Sequence, residues 1–266
     1  MDKNEYYKMF QFENDYWWYR GLHELVLHYV ENIRNTNAKT HNQQELKILD
    51  AGCGTGRMME LLAPYGKVEG IDYSEDAVNL CKNRGLENVR RDDLNTWAAP
   101  AEIYDVIISN DVIYNSGVED DMAVVGKFHW ALKPNGLLIM NLPAFKALQR
   151  KHDIAVFGIR RYRKKRTLRD LKKIGFSSVH TSYRLLPLFF IMLLQKYLLE
   201  RFSKKKAESD LKLLPPAMNS FLLRLHRLEN KIITRGIPLP LGSSLFLVCK
   251  KNSGATKDTK KHEDVF

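Results

Sequence analysis

The sequence predicts an α/β fold, a parallel sheet with helices on both faces. Three features carry that expectation. Apolar runs alternate with helix-like stretches from residue 46 to about residue 145. A glycine-rich turn in "ILDAGCGTGRMMELL" (residues 48–62) joins the first apolar run to the first of those stretches. Acids then recur at the ends of successive strand candidates, at Asp50, Asp72 and Asp92–Asp93.

Residues 1–20 are rich in aromatics, and Leu22, Leu25, Val26, Tyr29, Val30 and Ile33 predict a helix over 21–34. The polar stretch 35–45 reads as a loop. Strands are expected over 46–49, 68–71, 88–90, 104–109 and 137–140, with helices over 57–63, 74–84 and 120–132 between them. Ser74 followed by Glu75 and Asp76 suits a helix start, because a side-chain oxygen satisfies an orphan N–H and early acids oppose the helix dipole. "KPNG" at 133–136 reads as a stop and turn before the next strand. Further on, "GFSSVHTSYRLL" is a sixth strand candidate and "SSLFLVCKK" the last.

The chain has 266 residues, 44% apolar and 27% charged, enough for one sizeable core and an appended subdomain. The division expected is a helical lid over 1–40, a core over 41–184, an apolar and basic insert or cap over 185–242, a final strand over 243–251 and a disordered tail over 252–266. Cys53, Cys81 and Cys249 lie far apart with no metal or disulfide spacing, which fits a reducing compartment. The opening residues are acidic and aromatic, not basic then apolar, so no secretory leader is expected and a cytoplasmic location follows. A net charge of +11 points to an anionic partner: a membrane surface, nucleic acid or a phosphorylated substrate.

Glycine admits a ligand close to the backbone, and a strand, a glycine turn and a helix make a nucleotide-type site at the carboxyl edge of a parallel sheet. The spacing Gly52-x-Gly54-x-Gly56 is one residue tighter than the dinucleotide fingerprint. A carboxylate at Asp72 suits the two hydroxyls of a ribose. One at Asp92 or Asp93 suits an exocyclic adenine amine, although each acid alone also suits a turn cap.

Taken together, "LDAGCGTG", "GIDYS", "RRDDL", "YDVIISNDVIYN" and "ALKPNGLLIMNLP" resemble the motifs of the class I S-adenosylmethionine-dependent methyltransferases over roughly residues 46–143. Asn135 stands where the family usually has glycine, a mild departure because Asn tolerates positive φ. The resemblance implies a Rossmann-like seven-stranded sheet, mostly parallel with the last strand antiparallel, plus a helical insert before that strand. It implies S-adenosylmethionine as cofactor, with Gly52, Cys53, Gly54 and Gly56 along its methionine part and Asp50 just before them. It also implies Asp72 and Tyr73 at the ribose, Asp92, Asp93 and Leu94 at the adenine, and Asn110 near the amino-acid end. "YWWYRG" and "HDIAVFGIRRYRKKRTLRDLKKIGF" are similar to a bacterial branch of the family, of methyltransferase type 11/12 character, whose members often carry an apolar insert.

Methyl transfer from a sulfonium is an in-line displacement, so alignment and exclusion of water dominate, and a hydroxyl or carbon acid acceptor also needs a base. His152, beside Asp153, and Tyr114 are the catalytic candidates; the alternatives are a surface histidine and a ring packed over the cofactor. Arg160, Arg161 and Tyr162 read either as an anion or substrate site or as a solvated basic face. Trp17 and Trp18 read either as a lid over the acceptor or as pins holding the first helix, and Arg20 as a partner for the methionine carboxylate. No metal site is expected.

Residues 185–199, "LLPLFFIMLLQKYLL", fall short of the roughly 20 apolar residues a bilayer span needs. A buried cap helix and an interfacial segment both fit, and Arg201, Lys204, Lys205 and Lys206 beyond it suit an anionic lipid surface. The resulting expectation is methyl transfer to a small-molecule or lipid-like acceptor, with peripheral attachment to the inner membrane face. Two alternatives stand beside it. A nucleic-acid methyltransferase is disfavoured because the basic run 160–173 holds Tyr162 as its only aromatic. A non-catalytic cofactor-binding partner protein is disfavoured by the intact acids and glycines.

Overall fold

The computed structural model describes residues 3–40, 45–149, 153, 157–198 and 214–253. Two helices lead, α1 (Lys3–Phe12) and α2 (Trp17–Thr40). The alternating part follows as β1 (Leu46–Ala51), α3 (Arg57–Leu62), β2 (Gly66–Asp72), α4 (Glu75–Asn83), β3 (Val89–Arg91), β4 (Tyr104–Asn110), α5 (Asp121–Ala131) and β5 (Leu132–Pro143). The chain continues through α6 (Lys164–Ile174), β6 (Phe176–Arg184), α7 (Leu186–Leu198), α8 (Pro216–Thr234) and β7 (Ser244–Lys251).

The seven strands form one sheet in the order β3-β2-β1-β4-β5-β7-β6. β1 to β5 pair in parallel, and β7 runs antiparallel to both β5 and β6. This is the expected seven-stranded sheet with a reversed last strand. The order turns back beside β1, so the carboxyl ends of β1 and β4 flank a crevice of the kind in which open α/β sheets bind ligands.

Successive residues on a strand face opposite ways. Leu49, Ile107 and Leu138 pack with Val125 and Phe128 of α5 and Leu171 of α6 on one face. Ile48, Ile108 and Ile139 pack with Leu25, Val26 and Val30 of α2 and Ile233 of α8 on the other. The strands are therefore apolar on both faces, as a doubly covered parallel sheet requires.

Ser74 caps α4 by accepting from the Ala77 N–H at 3.4 Å, and Asp120 caps α5 by accepting from the N–H groups of Met122 and Ala123. Asn135 takes φ 65, the backbone state a glycine would favour.

Two expectations fail. The polar stretch from residue 35 is helical as far as Thr40, carried on from the packed part of α2, with the Thr36 hydroxyl bonded to the Asn32 carbonyl at 2.8 Å. "KPNG" is not a stop before β5 but lies inside it, as a bulge where the register with β4 jumps between Tyr104 and Val106. α1, inside the 1–40 stretch expected to be helical, lies on α4 through Tyr6, Ala77 and Leu80. The tail beyond residue 253 and the basic cluster Arg201, Lys204, Lys205 and Lys206 lie outside the described residues.

α8 packs along α2 because residue 21 is glycine. A Cβ there would meet His226 Nδ1 at 1.9 Å. Asn230 donates to the Gly21 carbonyl at 2.7 Å, and Asn219 accepts from the Trp17 N–H at 2.9 Å, capping α2 from 202 residues away. Among the described residues, no helix is long and apolar enough to cross a membrane.

Candidate functional site

Gly52, Gly54 and Gly56 have φ of 84°, 54° and 85°, a region costing other L residues roughly 1–2 kcal/mol. The loop hangs from β2, with the N–H groups of Gly52 and Cys53 both donating to the Ile71 carbonyl. Cys53 is buried against Cys81, whose thiol donates to the Gly54 carbonyl at 3.2 Å. That sulfur neighbour, then burial, pushes the Cys53 thiol well above its ordinary range, so it is packing and not a nucleophile.

Asp50 pairs in register with Gly70 of β2 and Ile108 of β4. Asp72 and Asn110, two residues further along those strands, therefore share its face of the sheet. Asp72 Oδ1 accepts from the Ser74 N–H at 2.9 Å and from the Tyr6 hydroxyl at 3.2 Å, while Oδ2 accepts from the Gly54 N–H at 2.9 Å. The acid thus clamps the glycine loop, and α1 occupies part of its acceptor capacity. Asp50 Oδ2 and Asn110 Oδ1 are both buried without a hydrogen-bond partner. Burial first, then the charges of Asp72 and Glu13, push Asp50 up to about 7.

Two orphaned acceptors on one face beside a left-handed glycine loop fit a cationic, donor-bearing ligand. The ammonium and sulfonium of S-adenosylmethionine answer that description. The Arg20 side chain makes no ion pair or hydrogen bond with another described residue, so its donors are free for a carboxylate.

The adenine side is more open. Tyr73 is 66% exposed, with the Arg91 guanidinium over its ring. Asp92 accepts from the Asp93 N–H and sits beside Arg90. Asp93 takes the N–H and side-chain amide of Asn95, the turn-capping alternative for this acid. Leu94 is buried in the core below.

The two leading helices close over this edge. Met9 of α1 lies on the loop, where a Cβ on Gly54 would meet its Cε at 2.5 Å. Glu13 accepts from the Thr55 hydroxyl and the Arg84 guanidinium, so a buried acid pins α1 to both sides of the loop. Trp17 is buried with Leu185 and Leu223, between α2 and the insert helices, and Trp18 packs against the same group and the core. That is the pinning role. Tyr19 and His23 line the next turn of α2, and burial first, then Arg57 and Arg184, hold His23 neutral, down at about 3.

At the end of β4, Asp111 takes φ 56, uncommon for a residue that is not glycine. Its Oδ2 accepts from Asn141 Nδ2 at 2.7 Å. Asn141 Oδ1 in turn accepts from the fully buried Arg184 at 3.0 Å, and Arg184 bonds His226 Nε2. The His226 ring also bonds the Trp17 carbonyl, and burial with Arg184 nearby holds it at about 2. The Tyr114 ring packs against Gly158, and its hydroxyl makes no hydrogen bond with a described residue.

His152 lies outside the described residues. The Arg160–Tyr162 run is not a free anion site. Arg161 forms a buried pair with Asp153 and donates to the Ala144 carbonyl. Arg160 donates to the carbonyls of Asn115 and Glu119, and the Tyr162 hydroxyl donates to Asp121. These donors are spent on holding the loop after β5. Sequence reasoning missed Tyr6, Glu13, Tyr19, His23, Arg184 and the separate role of Asp111. For Asp111, proximity to Asn110 was the one signal in the sequence.

The family profile described as "Methyltransferase domain" matches residues 42–173. A ubiquinone biosynthesis O-methyltransferase of Haemophilus ducreyi is 27% identical over 154 residues, covering 53% of this chain and 64% of the relative. A trans-aconitate 2-methyltransferase of Variovorax paradoxus is 33% identical over 102 residues, covering 36% and 38%. The chain thus spans less than two thirds of the length of the curated relatives it matches. An S-adenosylmethionine-dependent methyltransferase of Mesorhizobium loti shares the fold with TM-score 0.51 at 18% identity, over 78% of this chain and 91% of that one.

Proposed function

The chain belongs to the S-adenosylmethionine-dependent methyltransferases, and from that premise we propose that it methylates an oxygen of a small, lipid-like acceptor at an anionic membrane surface. The observation that carries the cofactor reading is the pair of unpartnered buried acceptors, Asp50 Oδ2 and Asn110 Oδ1, beside the glycine loop. The bound cofactor supplies a methyl group already activated on a sulfonium. The loop glycines admit it against the main chain, and Asp72 accepts from the ribose hydroxyls. Asp50 and Asn110 accept from the ammonium, and Arg20 donates to the carboxylate. Asp92 is the acceptor proposed for the adenine amine. α1 and α2 exclude water from the edge, which favours displacement over hydrolysis.

Oxygen is favoured by the phenol- and acid-lined end of β4, and by the O-methyltransferase among the relatives. The membrane reading rests on the insert. Phe190, Ile191 and Leu194 on α7 and Phe221 on α8 are exposed, by 49% to 61%, beside a chain of net charge +11. Insert helices that pack on Trp17 and also present this face would bring a lipid-borne acceptor to the sheet edge.

The test is incubation with cofactor carrying a labelled methyl and fractionated extract of the source cell. Label in the organic-soluble fraction is expected. Label in RNA, or donor binding without transfer to any fraction, would overturn the acceptor reading.

A further inference from the structure

We propose that Asp111 is the general base, accepting on its free Oδ1 the proton of the acceptor hydroxyl. The proposal rests on the reading of the chain as an oxygen methyltransferase. The O–H bond breaks, its electron pair stays on the acceptor oxygen, and the proton forms a bond to Oδ1. That oxygen is then the nucleophile toward the methyl carbon, whose bond to sulfur breaks with its pair left on sulfur.

Four observations support it. Asp111 follows the end of β4 directly, next to Asn110, at the sheet edge that holds the glycine loop. Its left-handed backbone is of the kind that persists at functional sites because the surroundings over-determine it. Here its N–H donates to the Asn141 carbonyl at 2.8 Å, and its Oδ2 is held by the Asn141 amide. Oδ1 makes no hydrogen bond with a described residue. The charge of Asp111 bears on the phenols of Tyr19 and Tyr114, whose hydroxyls make no hydrogen bond with a described residue.

Among the described residues, two rival bases are weaker candidates. Burial pushes Asp111 up to about 6, against the Asn141 hydrogen bond and the charges of Arg184 and Arg161. That leaves it ionised at neutral pH and basic enough to take a proton. His23, held at about 3, is a far weaker base. Tyr114 is pushed far up by burial and by Asp111, so it stays protonated. Asn141 and Arg184 are positioning residues, acting on the acceptor through Asp111.

The test uses 4-nitrocatechol as methyl acceptor, with the full chain and S-adenosylmethionine carrying a labelled methyl. Transfer by the wild type should follow the ionised form of Asp111, and Asp111→Asn should lose that pH dependence. Calorimetric affinity of Asp111→Asn for S-adenosylhomocysteine should stay within about threefold, while labelled methyl transfer to the dye falls by about 10²-fold or more. The wild-type rate should fall with unit slope below about pH 6. Asn141→Leu removes the bond that favours the carboxylate and should move that limb to higher pH. No transfer to the dye by the wild type, a rate with no limb near pH 6, or Asp111→Asn turnover near wild type would overturn the proposal. Loss of S-adenosylhomocysteine binding by the wild type would instead refute the methyltransferase reading beneath it.

Discussion

Asp50→Asn isolates the least satisfied group of the site. The carboxyl is 3% exposed, one oxygen has no partner, and burial holds it up at about 7 from an ordinary 3.8. Its folded form binds the proton more tightly than the unfolded chain does. The stability it contributes is therefore full below about pH 4 and is lost as pH rises toward 7. A shift of that size corresponds to about 4 kcal/mol between the two limits. The amide introduced by the substitution would be neutral throughout, so the variant should match the wild type near pH 4 and exceed it by up to about 4 kcal/mol at pH 8 in urea unfolding without cofactor. A cationic ligand reverses the preference by drawing the carboxyl back to its charged form. Binding should then release about 0.9 proton at pH 6, read as the dependence of calorimetric heat on buffer ionisation enthalpy. The variant should release almost none and bind more weakly. A stability difference that does not change with pH, or binding heats indifferent to buffer in the wild type, would refute the reasoning.

Three further outcomes are expected. Gly21→Ala must push α8 off α2, because its Cβ would meet His226 at 1.9 Å; a loss of about 1–3 kcal/mol in urea unfolding is expected, and no loss would contradict the packing. Tyr6→Phe frees Asp72 Oδ1 of one competing donor, so S-adenosylhomocysteine should bind up to about tenfold more tightly by calorimetry. Weaker binding would make Tyr6 a ligand-supporting group instead. Replacing Phe190, Ile191, Leu194 and Phe221 together by serine should cut co-sedimentation with anionic vesicles while circular dichroism stays unchanged; equal sedimentation would remove the membrane surface from the account.

What was legible in the sequence is what local physics writes there. Positive φ at Gly52, Gly54 and Gly56 demands glycine, buried strands demand unbroken apolar runs, and orphan N–H groups at helix starts demand Ser74 and Asp120. What was illegible depends on partners far along the chain. Tyr6 meets Asp72 across 66 residues, and Asn219 caps Trp17 across 202. The basic run at Arg160–Tyr162 read either as an anion site or as a solvated face because charge is visible in sequence and its engagement by Asp153, Asp121 and backbone carbonyls is not. Asp111 went unnoticed as a separate group because nothing in an aspartate announces a left-handed backbone.

The most direct measurement is a crystal structure of the full chain with S-adenosylhomocysteine. The account predicts the amino-acid part along residues 52–56, its ammonium on Asp50 and Asn110, and the ribose hydroxyls on Asp72 with Tyr6 displaced. A ligand bound elsewhere, or the loop still covered by Met9 with the Tyr6–Asp72 bond intact at saturating ligand, would contradict it.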